Sequence, residues 1–348
     1  MSNAKPFGDY LDNILEQPDA LRATVAGIAD NAVPLSLGER VQSGAIRSII
    51  LTGMGASYYA LQPLTLELVA HAIPAQRIET SELIYHAPRL LDPRNLVIAV
   101  SQSGQSVEIL KLLEQTRALR VPVLGVTNTP DSPLARDADY IVLTHAGTEF
   151  SVSCKTYIAT LGALQRISAL LTGQDTMRSR TGLTQAATAM ETYLGRWEKN
   201  VATLRQELIG MEQLVLLGRG ASLAAVGTGA LILQEAAHFP AQAMSSAAMR
   251  HGPFEMIAPQ LFALVFHGAP PTMELNRRLV SDIRAAGGHS FLVTESMDEN
   301  VFSLPPVPPA MLPLLEILIP QMLSLALAER IGHTPGKFER ISKVTTIE

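Results

Sequence analysis

Leu96-Val97-Ile98-Ala99-Val100-Ser101-Gln102-Ser103-Gly104-Gln105-Ser106-Val107-Glu108-Ile109-Leu110 reads as a buried strand, a hydroxyl-rich turn and the start of a helix with one apolar face. Backbone N–H groups are free where a strand hands over to a helix, and the helix dipole favours negative charge there. Three serine hydroxyls add neutral donors, and Gly104 lets the backbone come close to a ligand. A serine N-cap alone explains one of these hydroxyls. Three within six residues point to a bound anion, with a phosphate as the natural guest.

Outward from this stretch the same alternation continues. Ser48-Ile49-Ile50-Leu51-Thr52 reads as a strand that runs into Gly53-Met54-Gly55-Ala56-Ser57, followed by an apolar helix over 58–72. Residues 78–83 read as a short strand, 121–127 and 140–143 as two more, and a helix is expected to start near Ser153-Cys154-Lys155-Thr156. Upstream, 9–42 looks helical, divided at Pro18 and Pro34. Short apolar strands alternating with helices imply an α/β fold with a doubly wound parallel sheet.

The second half repeats the first. Leu214-Val215-Leu216-Leu217-Gly218-Arg219-Gly220-Ala221-Ser222 echoes 49–57, with Gly218 lying 165 residues after Gly53. Phe262-Ala263-Leu264-Val265-Phe266 and Phe291-Leu292-Val293-Thr294 fall near the same lag. The chain therefore reads as two copies of one domain. His267-Gly268-Ala269-Pro270-Pro271 replaces the hydroxyl loop in the second copy, so only the first is expected to bind phosphate. A linker is expected in the polar stretch around 172–183. The paired Gly-x-Gly turns fall short of a dinucleotide fingerprint, because Tyr58 and Leu223 stand where its third glycine belongs.

Composition bounds the rest. The 348 residues suggest about two domains at ~150 residues each. Charged residues are 17% and hydrophobic ones 47%, a balance that leans toward oligomerisation. A net charge of −5 offers no basic field for nucleic acid. A lone cysteine, Cys154, excludes an internal disulfide and fits a cytoplasmic protein, as does an N-terminus without an apolar signal core. The apolar stretch 310–328 is broken by Pro313, Glu316, Pro320 and Gln321 and reads as a buried helix, not a membrane span. Eight histidines show no pair at metal-ligand spacing, so neither a metal nor another cofactor is expected.

Taken in order, the stretches 53–57, 101–106, 147–156, 218–222, 229–235, Arg250-His251-Gly252-Pro253 and Ser342-Lys343-Val344-Thr345-Thr346-Ile347-Glu348 resemble the SIS (sugar isomerase) phosphosugar family. Within it they resemble the isomerase half of glutamine–fructose-6-phosphate aminotransferase and the isomerising glucosamine-6-phosphate deaminases. The resemblance implies two tandem flavodoxin-like SIS domains of three α/β/α layers. It divides the chain into an N-terminal helical segment (1–46), a phosphosugar-binding domain (47–187), a domain with the catalytic glutamate and histidine (188–334), and a tail over the active site (335–348). It implies that Ser101, Gln102, Ser103 and Ser106 hold the phosphate with Ser57, and that Ser153 contacts the sugar chain. It implies Glu235 as the acid/base, His251 as the ring-opening group, donated by a neighbouring subunit in a homodimer, and Lys343 as the group that approaches the sugar carbonyl.

Chemistry supports these roles. A proton moved between C1 and C2 of a sugar needs one base reaching both carbons. Glu235, on a largely apolar helix, suits that task if partial burial brings its pKa toward neutrality. His251 sits on a Gly-Pro turn and titrates near neutral pH. Lys343 can form a Schiff base or pair with phosphate. The pattern also departs from the family: Ile232 replaces the aminotransferases' lysine, and Gly336-Lys337-Phe338-Glu339-Arg340 precedes Ser342. No glutaminase domain is expected before the first helix. The favoured function is isomerising deamination of glucosamine 6-phosphate to fructose 6-phosphate and ammonia. The rivals are an ammonia-dependent aminotransferase, a fructosamine-6-phosphate deglycase, and a sugar-phosphate sensor without chemistry. No nucleic acid or membrane partner is expected.

Overall fold

The computed structural model describes residues 7–28 and 33–340. The chain opens with α1 (Gly8–Leu15), α2 (Gln17–Gly27) and α3 (Leu35–Gln42). Pro18 lies in the first turn of α2 and Pro34 directly precedes α3, the two places where a proline without an N–H fits a helix start.

Next come β1 (Ser48–Gly53), α4 (Gly55–Ala60), α5 (Gln62–Ala70), β2 (Ala75–Glu79), α6 (Thr80–His86), β3 (Asn95–Val100), α7 (Val107–Leu119), β4 (Val123–Thr127), α8 (Pro133–Asp137) and β5 (Tyr140–Leu143). The five strands form one parallel sheet in the order β2-β1-β3-β4-β5. Every residue of β3 is buried, as the unbroken apolar run requires of a central parallel strand. Each such Val, Leu or Ile contributes about 1.5–3 kcal/mol by leaving water. Ile50, Val97 and Ala99 face α6 and α7, packing on Leu83, Ile84, Ile109 and Leu112. On the other side α9 (Lys155–Thr172) packs with α3, α4 and α5.

The remaining elements are α10 (Thr176–Leu194), α11 (Trp197–Glu207), β6 (Gln213–Gly218), α12 (Leu223–Ala237), β7 (Ala241–Ser245), α13 (Ser246–Met249), β8 (Leu261–Phe266), α14 (Met273–Ala285), β9 (His289–Glu295), β10 (Ser303–Leu304), α15 (Leu312–Glu316) and α16 (Leu318–Ile331). Their strands form a second parallel five-stranded sheet, β10-β9-β8-β6-β7. Read from its other edge, this is the strand order of the first sheet. β6 starts 165 residues after β1, the lag expected from the motifs. Val215, Leu217, Ala263 and Val265 pack against Met249 of α13 and Leu279 and Ile283 of α14.

The chain divides into two compact units that are not continuous in sequence. One holds Asp19–Glu149 and Cys154–Thr184; the other holds the chain up to Pro18, Phe150–Ser153 and Gln185–Glu339. In the second unit the Tyr10 hydroxyl bonds Ser324 Oγ at 2.8 Å, and the amides of Gln17 and Gln321 exchange two bonds of 2.9 Å. The stretch Pro309–Ile331 is long and apolar enough to cross a membrane, with mean hydropathy 1.8, yet 89% of it is buried inside the structure. Gln321, Ser324 and Arg330 bond other groups of the same unit there, which is the behaviour of a core helix.

Three local expectations need correction. Residues 78–83 are not one strand: β2 ends at Glu79 and α6 starts at Thr80, because the polar Thr-Ser-Glu run suits a helix start. The expected helix over 58–72 is two helices divided at Leu61, with Pro63 in the first turn of α5. The stretch 172–183 is mostly helix α10. There Thr181 donates its hydroxyl to the Met177 carbonyl, four residues back, so a polar side chain of the stretch is satisfied inside a helix.

Candidate functional site

In a sheet ordered β2-β1-β3-β4-β5 the chain winds one way from β1 and the other way from β3. The loops after these strands part and open a crevice at their carboxyl ends. The turn 53–57 and the loop 101–106 are those two loops. A Cβ on Gly53 would lie 2.9 Å from the Val100 carbonyl oxygen and 3.2 Å from Ser57 Cβ. Glycine there brings the turn holding Ser57 against the end of β3, where Ser101 begins. Ser57, Ser101, Gln102, Ser103 and Ser106 are thus gathered within one unit, all of them half-buried.

The loop is held by its own backbone. The Gln102 carbonyl accepts from the Asn128 N–H and the Thr127 hydroxyl, both at 3.1 Å, and from the Thr129 hydroxyl at 3.3 Å. The Gly104 carbonyl accepts from the Leu134 N–H at 3.0 Å. Ser101 Oγ accepts from the Gly104 N–H at 3.1 Å, which leaves its hydroxyl proton for a ligand oxygen. Gly104 has φ +63°, and a Cβ there would meet Ser132 Oγ at 2.2 Å. Ser106 is the N-cap of α7, but among the described residues its hydroxyl caps no helical N–H. A hydroxyl at a helix N-terminus and not used as a cap is placed to serve an anion.

The segment leading into α9 is organised by a residue the sequence reading missed. Glu149 is buried, and its carboxylate accepts from the N–H groups of Cys154 at 2.9 Å and Thr156 at 3.3 Å and from the Thr156 hydroxyl at 2.5 Å. An acid that binds the first N–H groups of a helix satisfies orphan donors and favours the dipole. It fixes the end of the segment that contains Ser153, which is half-buried. The signal was an isolated acid six residues before an apolar helix.

In the other unit Glu235 is half-buried on α12, next to buried Ile232, Leu233 and Ala236. The Gln234 amide donates to the Ala241 carbonyl at 2.7 Å and ties the helix end to β7. His251 is exposed on the turn after α13, its N–H bonded to the Ala248 carbonyl at 2.9 Å, and Gly252 follows at φ +122°. Lys343 lies outside the described residues.

The carboxyl ends of β6 and β8 carry different groups. The Ser222 hydroxyl donates to Glu316 Oε1 at 2.7 Å, and the Asn276 amide donates to the carbonyls of Phe266 at 2.9 Å and His267 at 3.0 Å. At these strand ends the chain's polar side chains bond groups of the same unit. Burial pushes the Glu316 carboxyl up to about 8, with Glu295 adding to the rise and the Ser222 bond opposing it.

Residues 45–167 match the family model of the SIS domain. Over 97% of its length the chain is 29% identical to the glutamine–fructose-6-phosphate aminotransferase (isomerizing) of Streptomyces coelicolor, and it spans 58% of that protein. The fold is shared with the C-terminal domain of glucosamine-fructose-6-phosphate aminotransferase from Francisella tularensis, at TM-score 0.83 and 21% identity, covering 95% of this chain and 98% of that one. It is also shared with glucosamine-6-phosphate deaminase from Thermotoga maritima, at TM-score 0.80 and 17% identity, covering 98% of this chain and 100% of that one. The resemblance drawn from the motifs is borne out.

Proposed function

With residues 45–167 a member of the SIS domain family, we propose that this chain is a phosphosugar enzyme of the isomerising type, that its second sheet is a second SIS domain, and that it deaminates glucosamine 6-phosphate. The observation that carries the reading is the serine loop at the β1/β3 crevice, whose Ser106 hydroxyl caps no helical N–H among the described residues. Ser57, Ser101, Gln102, Ser103 and Ser106 hold the phosphate through neutral donors, and Ser153 contacts the sugar chain.

His251 passes a proton to the ring oxygen and opens the pyranose. Glu235 takes the proton from C2 and returns one to C1, so the aldehyde with a C2 amine becomes a C2 imine with a C1 alcohol. Water adds across C=N, ammonia leaves, and fructose 6-phosphate remains. Lys343 approaches the carbonyl carbon. The half-buried place of Glu235 on an apolar helix supports its role. The exposed turn of His251 supports its donation to a second copy in a homodimer.

Ile232, buried, stands where the resemblance gives the aminotransferases a lysine, and this does not separate deamination from amination; ammonia release does. The Streptomyces relative is an aminotransferase, and this favours ammonia-dependent amination of fructose 6-phosphate as the second reading.

The test incubates the purified chain with glucosamine 6-phosphate and follows ammonia and fructose 6-phosphate together. Stoichiometric release of both is expected. Glucosamine 6-phosphate formed from fructose 6-phosphate and ammonium, without the reverse release, would replace the reading with the aminotransferase. Free amino acid released only from fructosamine 6-phosphates would replace it with the deglycase. Binding without turnover of any of these would leave a sensor.

A further inference from the structure

Sequence spacing hides a cluster that the fold assembles. The rings of His238 and His333 lie 3.9 Å apart between centroids and are tilted by 36°. Nδ1 of His333 is 3.7 Å from Oε1 of Glu339. One ligand atom from each of the three residues can be chosen so that all lie within 4.8 Å of one another. All three belong to the same compact unit.

The second observation is Nε2 of His333. It is buried and has no hydrogen-bond partner among the described residues. Buried ring nitrogens are seldom left so without a water or an ion. The turn is held in place by other bonds. The Gly336 N–H donates to the Ala236 carbonyl at the end of α12, at 3.3 Å. The Ser151 hydroxyl donates to the Gly336 carbonyl at 3.1 Å, and a Cβ on Gly336 would strike Ser151 and Tyr10. His238 caps α12 in the left-handed region at φ 50°, where glycine is the usual occupant.

We propose that His238, His333 and Glu339 form a binding site for a divalent transition-metal ion of the zinc class. Two imidazoles and one carboxylate are a donor set for zinc, and three protein ligands leave a fourth position to water. Ligand atoms around tetrahedral zinc sit about 3.4 Å apart, so the widest pair must close by up to about 1.4 Å. Exposed His238 and Glu339 have the side-chain freedom to supply that movement. The ion would fasten the last described turn to the end of α12, three residues beyond Glu235. This site is independent of the sugar reading.

The tag-free chain, stripped with a chelator, is titrated with Co²⁺ and then Zn²⁺. One cobalt per chain is expected, with visible absorption of a four- or five-coordinate ion, displaced by zinc, and a thermal midpoint that rises with zinc. His238→Gly and Glu339→Gln should each weaken zinc binding by at least about tenfold. His238→Gly also removes the left-handed strain, so its metal-free form should melt no lower than the parent and thereby show that the variant is folded. No cobalt uptake at millimolar ion, or zinc binding unchanged in both variants, overturns the site.

Discussion

The Ser222 hydroxyl and the Glu316 carboxyl, 94 residues apart in sequence, are joined by a 2.7 Å hydrogen bond where both are buried. Glu316 Oε2 has no partner among the described residues. Burial therefore holds this acid in its protonated form up to about pH 8. Unfolded, the same group ionises from the ordinary carboxylate value of 4.5. Its neutral form is shared by both states below pH 4.5. Between 4.5 and about 8 the unfolded chain sheds a proton that the folded one keeps, so stability falls as pH rises, at up to about 1.4 kcal/mol per pH unit.

Glu316→Gln should remove that slope. Urea midpoints of parent and variant should be close at pH 4.5, with the variant the more stable by a few kcal/mol at pH 8. A pH-independent difference between the two would place the proton elsewhere.

Gly104→Ala adds a Cβ 2.2 Å from Ser132 Oγ at a residue with φ +63°. The variant should lose about 1–3 kcal/mol of stability, and its sugar-phosphate affinity should fall with the distortion of the loop. Thermal melts and calorimetric titration with glucosamine 6-phosphate read the two effects separately.

Ser106→Ala removes a hydroxyl that caps no helical N–H among the described residues. Its melting point should stay within about 0.5 kcal/mol of the parent in free-energy terms. Phosphosugar affinity should fall by about 10- to 100-fold, the worth of one bond to a charged oxygen. A large loss of stability with unaltered binding would return this serine to a capping role.

Glu149→Gln replaces a carboxylate acceptor with an amide facing the donors of Cys154 and Thr156. About 2–4 kcal/mol should be lost, read as a lower urea midpoint with an unchanged slope.

Glu235→Gln keeps the shape of the side chain and removes the base. Turnover should drop by at least about 10³-fold while sugar phosphate still binds, measured as ammonia release against calorimetric affinity. Unaltered turnover would take the glutamate out of the mechanism.

Much of the fold was legible because parallel strands are apolar throughout. β3 and β8 stand out as continuous hydrophobic runs, and the 165-residue lag between Gly53 and Gly218 shows the repeat directly. The serine loop was legible because hydroxyls are dense beside a strand end. The ends of β2 and α5 were not, since a Thr-Ser-Glu run and a single proline decide them locally. Glu149 was missed because it accepts from the backbone N–H groups of Cys154 and Thr156, which carry no side-chain signature. The pair His238 and His333 was missed because motif spacing sees neighbours along the chain, whereas these two meet only once the turn after α16 returns to the end of α12.

α1 leaves the ribosome well before α16, since Ser324, which bonds Tyr10, is made 314 residues later. Asp19–Glu149 and Cys154–Thr184 can collapse around their sheet while translation continues. α1 must wait, its apolar face uncovered, until α16 has been synthesised. For most of that time it is a target for chaperones. A ribosome stalled before α16 should carry one finished body and an undocked α1.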